Sequence, residues 1–390
     1  MLETPLLRGA AAPRGDIVSH VLDSALTAGA SDIHFLPQDD GLLVRIRVDG
    51  VVHDLQEIRE AAAMTTVSRI KVLAHLDVAD YQKAQDGRFT YDGVDVRATV
   101  LPTVSGEGLL LRLLRREAKP PSLTELGLSN TMQMTFERII SKPSGLLLVS
   151  GPTGAGKSTT LYAALSDIHR PEVNTVTVED PVEYRLPRAF QIQVNEKRGL
   201  SFSTALRTIL RSDPDIVMVG EIRDAVTAQL VVEASLSGHF VLSTLHSEDA
   251  PRTLTRLSEL NIAPYLLTLS VTAVLAQRLA RMLCPDCREA YEPGRSELDQ
   301  LGYPAGAEGT VTLYRPHGCG SCTRGYRGRT GIFQLMPMSE TIAHAVTHGQ
   351  SHEAVLAAAT ADGMETLWAD GLRKAEAGVT SISELRRVLA

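Results

Sequence analysis

The stretch Gly151-Pro-Thr-Gly-Ala-Gly-Lys-Ser158 decides the fold because of what flanks it. Before it runs Gly145-Leu-Leu-Leu-Val-Ser150, short and apolar like a buried parallel strand. After it runs Thr159-Thr-Leu-Tyr-Ala-Ala-Leu165, which reads as a helix. The string fits G-x-x-x-x-G-K-[ST], in which glycines let successive backbone N–H groups wrap a polyphosphate. In that pattern Lys157 reaches the β- and γ-phosphates and the Ser158 hydroxyl holds Mg²⁺. The expected phosphate cradle is Gly151, Pro152, Thr153, Gly154, Ala155, Gly156, Lys157, Ser158 and Thr159.

From about residue 125, strand-like and helix-like runs alternate, which predicts a parallel sheet with crossover helices. Strands are expected at 146–150, 174–179, 190–194, 215–219 and 239–244. Three of them deliver chemistry to one edge. Thr175-Val-Thr-Val178 ends in Glu179-Asp-Pro-Val-Glu183, and Asp215-Ile-Val-Met-Val-Gly220 ends at Glu221. The carboxyl edge is where open α/β sheets bind ligands, so these acids can hold Mg²⁺ or polarise a water. Glu179 and Asp180 can equally cap a helix, and the residues alone do not rank Glu183 above Glu179. Gly238-His-Phe-Val-Leu-Ser-Thr-Leu-His246 brings Ser243, Thr244 and His246 to the same edge, where His246 could donate to a γ-phosphate.

Upstream, Asp16 to Ala28 has helical apolar spacing, and residues 60–76 read as a second helix. Leu42–Val48 and Val51–Leu55 alternate as strands around Asp49-Gly50, and Gly87–Tyr91 and Val94–Val100 do so around Asp92-Gly93. A small α+β domain over 16–118 is expected, after a flexible start at 1–15. A linker follows at 119–124, then a P-loop domain over 125–390. Beyond 280 the pattern turns loop-rich, and after 338 mostly helical.

The 390 residues are 44% hydrophobic and 22% charged, the balance of a soluble chain of two or three domains. The net charge is -7, with 14 Lys and Arg against 17 Asp and Glu in residues 1–120 and 25 against 29 beyond. Neither half is basic and aromatics are 4%, so direct nucleic-acid binding is not expected. Residues 1–15 lack the apolar core of a signal peptide, and the most apolar window, Ile262–Ala276, is too short and polar to span a bilayer. A cytoplasmic location follows, with membrane association only through partners.

All four cysteines fall in Cys284-Pro-Asp-Cys287 and Cys319-Gly-Ser-Cys322, with 31 residues between the pairs. Two such knuckles supply tetrahedral thiolate ligation for a structural Zn²⁺, placing a tetracysteine subdomain at 280–335. Disulfides are disfavoured in a reducing compartment.

These motifs together resemble the secretion ATPase superfamily that drives type II secretion and type IV pilus assembly, the GspE/PilB-like ATPases. Gly151–Thr159 matches its Walker A loop, Val178-Glu-Asp-Pro-Val-Glu-Tyr184 its Asp box, Leu206–Asp224 its Walker B segment and Gly238–His246 its His box. The likeness runs from Ala30-Ser-Asp-Ile-His34 to Gly378-Val-Thr380. It implies a RecA-like P-loop ATPase domain, a smaller amino-terminal α+β (PAS-like) domain and a tetracysteine zinc insert. It further implies ATP hydrolysis with Mg²⁺. Glu183 would orient or deprotonate the attacking water, Glu221 would be the Walker B acid near Mg²⁺, and His246 the γ-phosphate sensor.

Phosphoryl transfer also wants guanidinium groups on the γ-phosphate oxygens. Arg207, Arg211 and Arg223 lie in the large domain, and Arg88, Arg97 and Arg112 in the small one. The resemblance favours Arg88 and Arg97, although Ala84 and Ala98-Thr99 depart from the family's "PQDGR" and "VR-x-S". The insert implies secretion or pilus extension rather than retraction. A homo-oligomer, a hexameric ring, is implied, acting through an inner-membrane platform protein to assemble a pseudopilus. Pilus-assembly or DNA-uptake motors and a non-hydrolysing nucleotide-dependent adaptor are the alternatives. Family members often carry a further amino-terminal domain that docks to a membrane-bound partner. This sequence starts almost directly at the small domain, so a short variant or another docking surface is expected.

Overall fold

A computed structural model describes residues 16–114, 120–304 and 309–389. The expected flexible start at 1–15 lies outside the described residues, as does Lys119 at the head of the expected linker. The described chain divides into two compact units. One comprises the residues up to 114 together with Gly318–Gly328; the other comprises 120 to His317 and Arg329 to 389.

The smaller unit is a six-stranded antiparallel sheet: β1 (Asp32–Gln38), β2 (Gly41–Val48), β3 (Val51–Arg59), β4 (Gln85–Tyr91), β5 (Val94–Thr103) and β6 (Gly106–Leu114). Their order is β3-β2-β1-β6-β5-β4. Both expected hairpins turn where the sequence places them. Asp49 and Gly50 have φ of 48° and 82°, and Asp92 and Gly93 have 47° and 75°, the two positive angles that a tight two-residue turn requires. Helices Ile17–Thr27 and Glu60–Leu73 pack on one face, closing a core around Leu22, Ile33, Phe35, Ile46, Ile70 and Leu111. Asp16 caps the first helix by accepting from the Ser19 amide.

The larger unit is built on a seven-stranded sheet. It contains β7 (Gly145–Ser150), β8 (Thr175–Glu179), β9 (Phe190–Gln193), β10 (Ile216–Val219), β11 (Phe240–Leu245) and β12 (Val271–Leu283). The short pair β13 (Glu289–Tyr291) and β14 (Leu313–Arg315) stands apart, and β15 (Tyr326–Pro337) completes the large sheet. The order is β15-β12-β7-β11-β10-β8-β9, and every pairing from β12 to β9 is parallel. Alternate residues point to opposite faces, and both faces are covered. Leu146, Leu148, Val176, Val217 and Val241 pack with helices Phe202–Ile209, Ala225–Leu236 and Ala250–Glu259. Leu147, Val149, Met218 and Leu242 pack with Asn130–Ile140 and Lys157–Ile168.

Two strands depart from the sequence reading. The region beyond 280, expected to be loop-rich, begins inside β12 and includes the 12-residue β15. The apolar window Ile262–Ala276 is part helix Pro264–Ser270 and part β12. Among the described residues no helix is long and apolar enough to cross a membrane.

Candidate active site

Because β7, β8, β10 and β11 are parallel neighbours in register, their carboxyl ends form one edge. The loop Gly151–Gly156 leaves β7 there and turns into the helix that begins at Lys157. Gly154 and Gly156 have φ of 78° and 85°, which only glycine adopts without strain. At Gly151 space is the limit: a Cβ would stand 2.5 Å from the Gln277 carbonyl oxygen.

Lys157 Nζ donates to the carbonyls of Gly151 at 2.8 Å and Pro152 at 3.1 Å, so the ammonium closes its own loop. Burial lowers its pKa to about 8, against the pull of the Glu221 carboxylate. The Ser158 hydroxyl faces the Glu183 carboxylate and stabilises its charged form. Glu183 is open to solvent yet walled by protein, and this desolvation holds its pKa above the usual glutamate range. Glu221 accepts from Arg223 Nη2 at 2.5 Å, and His246 Nε2 lies 3.7 Å from its other oxygen. Burial, then the Lys157 charge, lower the His246 pKa, favouring neutral imidazole.

Glu179 behaves otherwise, and not as a helix cap. It is 4% exposed and accepts from Tyr162 Oη at 2.5 Å and Thr177 Oγ1 at 2.6 Å. Ser243 and Thr244 donate to the carbonyls of Val219 and Gly220, stitching β11 to the end of β10. Thus Lys157, Ser158, Glu183, Glu221 and His246 gather at one edge, while Glu179 faces inward.

Among the expected arginines, Arg223 is engaged by Glu221, and Arg112 donates to Asp32 at 3.1 Å. Arg88 and Arg97 are direct cross-strand partners on β4 and β5 and line a cleft of about 490 Å³ with His75, Thr90 and Asp95. Sequence reasoning missed Gln277 and Arg278. Gln277, 1% exposed on β12, donates to the Ala155 carbonyl at 2.5 Å and accepts from Thr160 Oγ1 at 2.8 Å, bracing the loop from beneath. Arg278 donates to the Glu248 carbonyl at 2.7 Å. The available signal was a polar pair closing the most apolar run of the chain.

The oxygen donors Ser158, Glu183 and Glu221 are of the hard type that suits Mg²⁺. The four cysteines also come together. Their Sγ atoms all lie within 4.8 Å of one another, and none is in a disulfide. Tetrahedral zinc with bonds of about 2.3 Å would set its sulfurs about 3.8 Å apart, so the cluster fits that ion.

A family model described as "Type II/IV secretion system protein" matches residues 10–387. A relative from Dickeya dadantii, "Type II secretion system protein E", is 45% identical over 97% of this chain and 76% of its own. "Type IV pilus assembly ATPase PilB" of Thermus thermophilus is 40% identical over 94% of this chain and 42% of its own. The solved "ATPase DotB" of Legionella pneumophila, 19% identical, superposes with a TM-score of 0.68 over 97% of both chains, a likeness of fold.

Proposed function

This chain belongs to the type II/IV secretion system protein family, and from that premise we propose that it is the ATPase motor of a type II secretion machine. It hydrolyses ATP to drive assembly of a pseudopilus, as a homohexamer on the cytoplasmic side of the inner membrane, acting through a platform protein. The observation that carries this reading is the shared sheet edge, where the phosphate-loop Lys157 and Ser158 meet Glu183, Glu221 and His246.

Ser158, with Glu221 beside it, would hold Mg²⁺, which would supply the charge to neutralise the triphosphate. Lys157 turns from its own loop carbonyls to the phosphates. Glu183, whose pKa burial raises above the ordinary glutamate value, is a stronger base for a proton from water than an exposed carboxylate. His246, kept neutral, has an N–H to offer the terminal phosphate. Arg88 and Arg97, side by side across two strands, supply the guanidinium charge that phosphoryl transfer requires. The four cysteines would hold zinc as a structural ion, since ligation by four thiolates leaves no open position.

Phosphate release is the assay. Glu183→Gln should lose at least about a hundredfold in kcat while keeping nucleotide affinity. Arg88→Ala and Arg97→Ala should behave alike; equal loss of affinity and turnover would count against them. In the host, Glu183→Gln should stop enzyme export. Normal export with lost pili would move the assignment to pilus assembly.

A further inference from the structure

Why should a carboxylate as deeply buried as Glu179 stand at the end of a catalytic strand? Its partners answer. One oxygen accepts from Tyr162 Oη at 2.5 Å, the other from Thr177 Oγ1 at 2.6 Å and Gln191 Nε2 at 3.4 Å. The backbone N–H of Glu183 is turned toward this carboxylate and favours its charged form. Gln191, on β9, grips the same loop further along: Nε2 donates to the Tyr184 carbonyl at 2.8 Å, and Oε1 accepts from the Leu186 amide at 2.7 Å. It also donates to Tyr162 Oη at 3.2 Å. The Tyr162 and Tyr184 rings pack with centroids 4.9 Å apart.

Gln191 therefore holds the loop at two backbone points, Tyr184 and Leu186, and Glu179 faces its start at the Glu183 N–H. Both meet the hydroxyl of Tyr162, which sits one turn beyond Lys157 and Ser158 on the same helix. We propose that Tyr162, Glu179 and Gln191 form a clamp that fixes the backbone of Glu183 relative to Ser158, making Tyr162 a positioning residue for hydrolysis. The proposal rests on the reading of Glu183 as the group that acts on water. Sequence did not reveal the clamp because its members stand 12 to 29 positions apart. Glu179, an acceptor at both oxygens, serves as the hub.

Tyr162→Phe removes the shared hydroxyl and keeps the ring against Tyr184. Kinetics with Mg·ATP should show kcat down about tenfold, with KM for ATP within about twofold, since misplacing a reacting group slows turnover without loosening the phosphate cradle. Hydrogen exchange should quicken at the Glu183 and Leu186 amides. Gln191→Leu should show the same two effects. Unchanged kcat overturns the proposal, and so does a parallel loss of ATP affinity, which marks a merely structural network. If Glu183→Gln turns over normally, the catalytic reading fails on its own. The clamp is then judged by exchange in Tyr162→Phe: faster exchange at 183 and 186 supports it, and unchanged exchange overturns it.

Discussion

Replacing Gln277 by Met keeps volume and removes both polar contacts beneath the phosphate loop. The Ala155 carbonyl loses a 2.5 Å donor, and the Thr160 hydroxyl, 1% exposed, loses its acceptor. A buried carbonyl stripped of its donor costs about 1–3 kcal/mol. Thr160 recovers part of its loss by turning to the carbonyl of Gly156 one turn back. The sum is about 2 kcal/mol, or about 4–8 °C in Tm for a domain of this size. Because both contacts lie on the nucleotide loop, ordering that loop becomes part of binding. Affinity for a fluorescent ADP should then fall by up to about thirtyfold. Thr160→Val removes one contact and should cost about 1 kcal/mol, and the double variant less than the sum. Nucleotide titration and melting curves with and without Mg·ATP test this. An unchanged Kd with a lowered Tm would refute the claim that Gln277 braces the loop. An unchanged Tm would refute the energetics as well.

Three further outcomes are expected. Lys157 is half neutral near pH 8 in the empty site, so Mg·ATP binding at that pH should take up about half a proton. Uptake vanishes below about pH 6.5, where the group is already charged, and calorimetry in buffers of different ionisation enthalpy should find none in Lys157→Met. Glu384, 1% exposed, accepts from Arg281 and Arg387, which hold its pKa below the usual range against the opposing effect of burial. Its stabilisation is full above the ordinary pKa of 4.5 and lost as pH falls through the lowered folded value. Glu384→Gln should cost about 3 kcal/mol at pH 7 and flatten the acid limb of a pH–Tm curve. Finally, a strong chelator should release a single equivalent of zinc, read by a colorimetric dye, and lower the Tm. Cys322→Ser should hold no zinc.

The part of the fold that was legible is the part where local pattern and tertiary role agree. β7, β8, β10 and β11 are apolar, short and bounded by glycine or acid, and the structure finds them within a residue of their expected limits. β12 was hidden for the opposite reason. Leu275-Ala-Gln-Arg-Leu-Ala-Arg-Met-Leu283 consists of strong helix formers, and only pairing with β7 and β15 makes it a strand. β1 was missed because Leu36-Pro37 cut short the alternation of Ile33-His34-Phe35. At the site, residue type and strand position brought Lys157, Ser158, Glu221 and His246 into view. What separates Glu179 from Glu183 is burial and partners: one is enclosed by Tyr162 and Thr177, the other faces the Ser158 hydroxyl at the sheet edge. No one-dimensional pattern carries that difference.

β12 does three jobs in 13 residues. Gln277 holds up the phosphate loop, Arg281 seats the Glu384 carboxylate of the last helix, and the strand hands the chain directly to Cys284. An extended backbone hardly stretches along its axis, so the about 20 Å from Gln277 to the strand's end behaves as a stiff push-rod. No loop lies between the two ends to absorb a displacement, so one imposed at Cys284 should reach the residues beneath the phosphate loop along a single strand.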